Sequence, residues 1–185
     1  LAEAIGRHFD CPVTGCTTAG EIGERYQRDG IVAVAFGAES FRLHARLLPC
    51  PEEFTPTSVR AVVDALRAGL AFSTDLSPDG MFGIVLLDGL SLREEMMTSC
   101  LHSALRGVGL VGGSAGDSLA FRETRVLVEG AFHRAAGALV LVESRLPVEI
   151  FRVQHFVPTD IAMVITAADP ATRTVREIDG APAAE

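Results

Sequence analysis

The densest set of chemistry-bearing residues in the chain is Val111-Gly112-Gly113-Ser114-Ala115-Gly116-Asp117, a short apolar run leading into glycines, a hydroxyl and a carboxylate. Glycine lets the backbone approach a ligand closely, and successive N–H groups in such a segment can cradle an anion. A carboxylate beside those donors completes a receptor for a zwitterion, whose carboxylate takes the N–H groups while its ammonium pairs with Asp117. A bulge or crossover loop explains the same glycines without a ligand. Gly112 to Gly116 also spells G-x-S-x-G, the nucleophile elbow of serine hydrolases, which requires a strand before it, a helix directly after it, and then an acid and a His in that order. Ser118 to Thr124 carry no helical stripe, and Glu143 or Glu149 ahead of His155 would be forced choices, so a hydrolase built on Ser114 is the rival reading.

Three further places carry chemistry. Gly15-Cys16-Thr17-Thr18-Ala19-Gly20-Glu21-Ile22 packs two hydroxyls, Thr17 and Thr18, between glycines. It reads as an anion-binding turn or as a structural one whose hydroxyls satisfy the loop backbone, and it lacks the Gly-Lys-Ser/Thr ending of a Walker loop. Asp88 closes an apolar run in Leu87-Asp88-Gly89-Leu90. Ligands of open α/β sheets collect outside the carboxyl ends of strands, although an Asp closing a turn at Gly89 has the same appearance. His155 alternates with Phe151, Val153 and Val157, which predicts burial and hence a partner: a core contact, a ligand, or the iron of a haem. His8, His44, His102 and His133 show no metal-binding spacing with it or with the cysteines, so no metal residues are assigned.

The elements that must hold these residues follow from hydrophobic period. Leu1, Ile5 and Phe9 predict a helix already under way at the first residue, followed by a short strand over Pro12 to Cys16. Ile31 to Phe36 reads as a buried strand, and Phe41 to Leu47 as a half-exposed one with Arg42, His44 and Arg46 on the wet face. Val59, Val62, Val63, Leu66 and Leu70 stripe a helix that Thr55 caps and Pro56 opens. Met81 to Leu87 is a central strand covered on both faces. Ser91 to Glu94 fits a capping box for a helix striped by Leu92, Met96, Cys100, Leu101, Ala104 and Leu105, running to about Arg106. From Val108 onward strand-like runs succeed one another: Val108 to Val111, Thr124 to His133, Ala136 to Glu143, Val148 to Val157, Ile161 to Ala167 and Arg173 to Ile178. Short turns at Arg145-Leu146-Pro147 and Asp169-Pro170-Ala171 make antiparallel hairpins the expectation. The fold class is therefore α/β, with mixed sheet layers, helices mainly in the first two thirds and an antiparallel β-meander in the last third.

Composition bounds what such a fold can do. The 185 residues, 48% hydrophobic and 22% charged, are globular and match one domain. No apolar run nears the roughly 18 residues of a membrane span. Sixteen basic residues, all Arg, against 24 acidic ones leave a net charge of −8 without a basic cluster, which argues against nucleic acid and anionic membrane as partners. Cys11, Cys16, Cys50 and Cys100 lie apart without CxxC spacing, as buried thiols in a reducing cytosol would. A helix cut into at Leu1 and a turn leading onward at Asp179 to Glu185 suggest a piece of a longer protein, one that would leave apolar sheet surface open and self-associate.

The order and spacing of Gly15 to Ile22, Leu87 to Leu90, Gly112 to Asp117, His155 with Pro158, and Ile178-Asp179-Gly180-Ala181-Pro182-Ala183 resemble the amino-terminal region of the FIST domain, a sensory module of signalling proteins, along nearly the whole chain. The resemblance implies one ligand-sensing domain over residues 1–185, cytoplasmic and without catalysis, with a small molecule bound by Thr17, Thr18, Asp88, Gly113, Ser114, Asp117 and His155. Amino acids are the ligands it suggests, and haem is the alternative cofactor. Its partners would be a carboxyl-terminal FIST region and a signalling output domain.

Overall fold

The computed structural model describes residues 1–49, 53–70, 80–91, 93–152 and 156–184, and divides the chain into two compact units, Leu1–Ile150 and Phe151–Glu185. The first is built on a four-stranded mixed sheet of β4 (Phe41–Leu48), β9 (Gly137–Ser144), β5 (Met81–Asp88) and β6 (Gly109–Ala115), in that spatial order. β9 pairs antiparallel with both β4 and β5, whereas β6 lies parallel to β5 because helix α3 (Glu94–Leu105) carries the chain back across the sheet. Antiparallel pairing was the expectation for Val108 to Val111, and the crossover helix overrides it.

Both faces of this sheet are covered. Helix α2 (Pro56–Gly69) buries Val59, Val63 and Leu66, and α3 buries Met97, Leu101, Ala104 and Leu105, against Leu48, Val85, Leu87, Leu139 and Leu141. On the opposite face, Ala45, Leu47, Leu86 and Ala138 meet a small antiparallel sheet of β1 (Gly15–Cys16), β7 (Val126–Val128) and β8 (Ala131–His133). That double cover explains why β9 is buried at every position and why Met81 to Leu87 shows no alternation.

The local signals of α2 operate as expected. Thr55 Oγ1 accepts the Ser58 N–H at 3.1 Å, Ser58 Oγ accepts the Thr55 N–H at 2.9 Å, and Pro56 occupies the first helical position. For α3 the expectation is corrected. The helix starts at Glu94 with Arg93 before it, because Ser91 belongs to the turn that closes β5, its N–H donating to the Asp88 carbonyl at 3.2 Å. The buried stripe accordingly runs through Met97, and Met96 is exposed; Leu92 lies outside the described residues.

Other corrections share one cause, that an apolar run does not identify its partner. Ile31 to Phe36 joins no ladder among the described residues, and Ile31 is 78% exposed. Thr124 to His133 is not one strand, since Glu129 and Gly130 both take positive φ and reverse the chain between β7 and β8. The strand at Pro12 to Cys16 shrinks to Gly15–Cys16. His44 is half-buried rather than wet, its Nδ1 lying 3.3 Å from the Leu66 carbonyl at the end of α2. Cys11 is exposed, Cys16 and Cys100 are half-buried, and Cys50 lies outside the described residues. The described part of Val148 to Val157 is not strand, so Arg145-Leu146-Pro147 closes no hairpin; the Ser144 hydroxyl instead accepts the Leu146 N–H.

The second unit is the antiparallel meander expected from its sequence: β10 (Ile165–Asp169), β11 (Thr174–Ile178) and β12 (Ala181–Pro182). Its strands begin later than read, because Val164 is tied to Asp179 through two hydrogen bonds of 2.8 Å ahead of the ladder.

The glycines of β6 separate sharply. At Gly112, with φ +153°, a Cβ would stand 1.8 Å from the Val85 carbonyl oxygen of β5, whereas at Gly113 it would meet nothing within 4 Å. We expect Gly112→Ala to cost about 2–4 kcal/mol in denaturant unfolding, by forcing β6 off β5. Gly113→Ala should stay within about 0.5 kcal/mol of wild type. Equal losses for the two would contradict this account of the β5–β6 contact.

Candidate functional site

Parallel strands β5 and β6 end side by side, with Leu87 opposite Ser114 and Asp88 opposite Ala115. The glycine-rich stretch is thus strand through Ala115 and becomes loop only at Gly116, which corrects its reading as one loop. Ser114 is exposed, and the chain after it forms an irregular loop, so the helix that a nucleophile elbow requires is absent. Onto these strand ends folds the loop that carries Thr17 and Thr18: their carbonyls accept the N–H groups of Gly116 at 2.9 Å and Ser118 at 3.1 Å. The two loops touch closely enough that a Cβ on Gly116 would lie 2.7 Å from the Ala19 nitrogen.

Asp88, Thr17, Thr18, Gly113, Ser114 and Asp117 therefore converge from three separate segments. His155 lies outside the described residues, and the neighbours expected to bury it, Phe151 and Val157, are exposed.

Most of the polar atoms brought together already have internal partners. The buried Asp88 carboxylate accepts the Leu90 N–H at 2.8 Å and the Thr124 hydroxyl. Asp117 Oδ1 accepts the Phe121 N–H at 2.8 Å, and its Oδ2 accepts those of Arg122 at 2.6 Å and Glu123 at 2.9 Å. Thr17 Oγ1 accepts the Arg125 N–H at 3.0 Å. Thr18 Oγ1 donates to Glu21 Oε1 at 2.6 Å. Ser114 is the hydroxyl among these that faces solvent without such a partner.

Sequence reasoning missed the segment that does this binding together. Glu123, Thr124 and Arg125 are consecutive, and each answers a different candidate: Glu123 through its N–H to Asp117, Thr124 through its hydroxyl to Asp88, Arg125 through its backbone to Thr17. Glu123 is itself clamped by the guanidinium groups of Arg125 and Arg134. The Glu-Thr-Arg triplet just ahead of β7 was the available signal, alternating charge around a hydroxyl before a buried strand.

Electrostatics follow these contacts. The backbone N–H groups of Glu123 and Arg122 hold the Asp117 carboxyl below the usual range, and the Arg125 guanidinium does the same for Glu123. Burial pushes the Cys16 thiol up, so it is a poor nucleophile.

Because the folded-state pKa of Asp117 lies below its unfolded value, the loop it organises gains stability above the ordinary carboxylate range and loses it as pH falls through the depressed value. We expect the amide protection of residues 120–123 to decline with acid in wild type. In Asp117→Asn the corresponding protection should be weaker at neutral pH and nearly flat with pH, as amide hydrogen exchange would read. A pH-flat wild-type loop would show that Asp117 does not organise it.

No curated protein and no solved structure matches the chain. A family model described as the FIST N domain matches residues 1–181, spanning both compact units and every residue of the site just described. The chain belongs to the FIST N domain family, a sensor domain of signal transduction thought to bind small ligands.

Proposed function

We propose that the domain senses an amino acid or similar zwitterion at the carboxyl ends of β5 and β6, over residues 1–185 acting as one sensory domain without catalysis. The observation that carries this reading is the convergence of the Thr17-Thr18 loop, the end of β5 and the Gly113-Ser114 edge at one place, with Ser114 left open to solvent. The ligand carboxylate takes the Ser114 hydroxyl and outward N–H groups of the free β6 edge around Gly113. Its ammonium pairs with Asp117 Oδ1, which accepts a single N–H and keeps a lone pair. Thr17, Thr18 and Asp88 keep the walls in place. Binding reports to a carboxyl-terminal FIST region and a cytoplasmic output domain by favouring one of two arrangements, since a ligand shifts an equilibrium only through unequal affinity. Among the described residues no helix is long and apolar enough to cross a membrane.

Calorimetry against a panel of amino acids, with a visible absorption spectrum of the purified protein, tests this. Ser114→Ala and Asp117→Asn should each weaken the best ligand by roughly tenfold or more, the scale of a charge-assisted hydrogen bond. Unchanged affinity in both variants would remove the site. A haem absorption band would replace the reading with gas sensing. Stoichiometric labelling of Ser114 by a fluorophosphonate, abolished in Ser114→Ala, would make it a hydrolase.

A further inference from the structure

The apolar segment Ile31–Phe36 and the strand β4 are joined by a tight reversal. The N–H groups of Ser40 and Phe41 both donate to the Gly37 carbonyl, at 3.1 and 3.0 Å, and the Arg145 N–H fixes the turn to the end of β9 through the Ser40 carbonyl at 2.9 Å. Across the turn the rings of Phe36 and Phe41 meet edge to face, with centroids 5.3 Å apart. The turn and the ring contact together hold the end of the segment beside the first residue of β4. Beyond that contact the segment joins no ladder, and β4 has β9 on one side but, among the described residues, no partner on the other. An edge of this kind presents a row of N–H and C=O groups to whatever strand can reach it.

With Phe36 taken opposite Phe41, as their ring contact allows, a hairpin register places Val34 opposite Leu43 and Val32 opposite Ala45, on the face where Ala45 and Leu47 join the second core cluster. It places Ala35 opposite Arg42 and Ala33 opposite His44, on the face where His44 meets the end of α2. Branched residues thus meet apolar neighbours, and alanines meet the two bulky polar side chains. A register one residue out would put Val34 and Val32 on the α2 face, beside Arg42 and His44. Val34 is 76% exposed and Leu43 37% exposed, so each lacks the cover the other would give.

The near end of the segment is tied to the candidate site. Glu21, in β2 (Glu21–Ile22), spans the two: its Oε1 accepts the Thr18 hydroxyl at 2.6 Å and its Oε2 accepts the Gly30 N–H at 3.1 Å. Gly30 is the residue from which Ile31–Phe36 swings.

We propose that Ile31–Phe36 is a strap that closes onto the free edge of β4 as a fifth strand, and that Glu21 tethers it open by holding Gly30 to the Thr18 loop. The strap stands on the turn, the Phe36–Phe41 contact and the open edge of β4; the use of the tether in sensing rests on the ligand reading of that loop. A ligand seated at the Ser114 edge that shifts the Thr18 loop loosens Glu21's hold on Gly30, and the sheet grows by one strand. This gives the sensor its two arrangements.

Hydrogen exchange with mass spectrometry on peptides covering residues 31–36 and β4, with no ligand added, tests both halves independently of the calorimetry. In wild type the amides of residues 32–35 should exchange about tenfold more slowly than unstructured chain, yet faster than those of β9. Val34→Lys, which brings a charge to the core-facing side, should remove that slowing while β4 stays protected through β9. Val32→Pro, opposite Ala45, should do the same by deleting a ladder N–H, without adding a charge. Glu21→Ala should raise the strap's protection by about threefold or more. Unstructured rates in wild type would overturn the strap, and protection equal to that of β9 would make it a permanent strand. A fall or no change in Glu21→Ala would overturn the tether.

Discussion

Three acceptors, the buried carboxylate of Asp88, the half-buried carboxylate of Asp117 and the half-buried hydroxyl of Thr17, are answered by three consecutive residues, Glu123, Thr124 and Arg125. An unpaired buried carboxylate is among the costliest defects a fold can carry, so this triplet is held in place by more than its own geometry. It fixes where β7 begins, and therefore where β7 and β8 lie across the second face of the main sheet. It also fixes the distance between the Thr17-Thr18 loop and the end of β5. The site and the second core cluster are consequences of the same small set of hydrogen bonds.

This arrangement assigns different work to residues that look alike. Asp88 and Asp117 are both acids at strand ends, but one is buried and closes a turn while the other sits on a loop and organises it. Thr17 and Thr18 are adjacent hydroxyls, yet the first binds backbone across the β1–β7 ladder and the second binds a carboxylate three residues away. Ser114 differs from all of them in facing solvent. A ligand can use that hydroxyl without first breaking the framework that supports it.

What could be read from sequence was local. Thr55, Pro56 and the stripe through Val59, Val63 and Leu66 specify α2 through interactions within one helix, and Met81 to Leu87 specifies a doubly covered strand by lacking a polar face. The convergence of Thr17, Asp88, Ser114 and Asp117 was legible as a set of motifs, but their hydrogen-bond partners were not, because Thr124 and Arg125 lie 36 and 108 residues from the groups they bind. Reading Ile31 to Phe36 as a buried strand, or Thr124 to His133 as a single one, fails for a related reason. Hydrophobic period reports what a segment can bury; pairing partners and left-handed turn residues such as Glu129 decide what it does. Ser91 shows the opposite failure, a valid capping pattern already committed to the turn after β5.

The position of β9 in the chain has a consequence for how the protein is made. β4 and β5 do not touch as neighbours; β4 is joined to the sheet only by β9, which is completed at Ser144. While the polypeptide is being synthesised, β5, α3 and β6 can assemble as a local unit with α2 packed on α3, but β4 has no strand to pair with until nearly the whole first unit has left the ribosome. The nascent chain must therefore carry β4 unpaired for most of its synthesis. Any longer protein built on this domain inherits that interval, during which chaperones and competing strands have their best access to it.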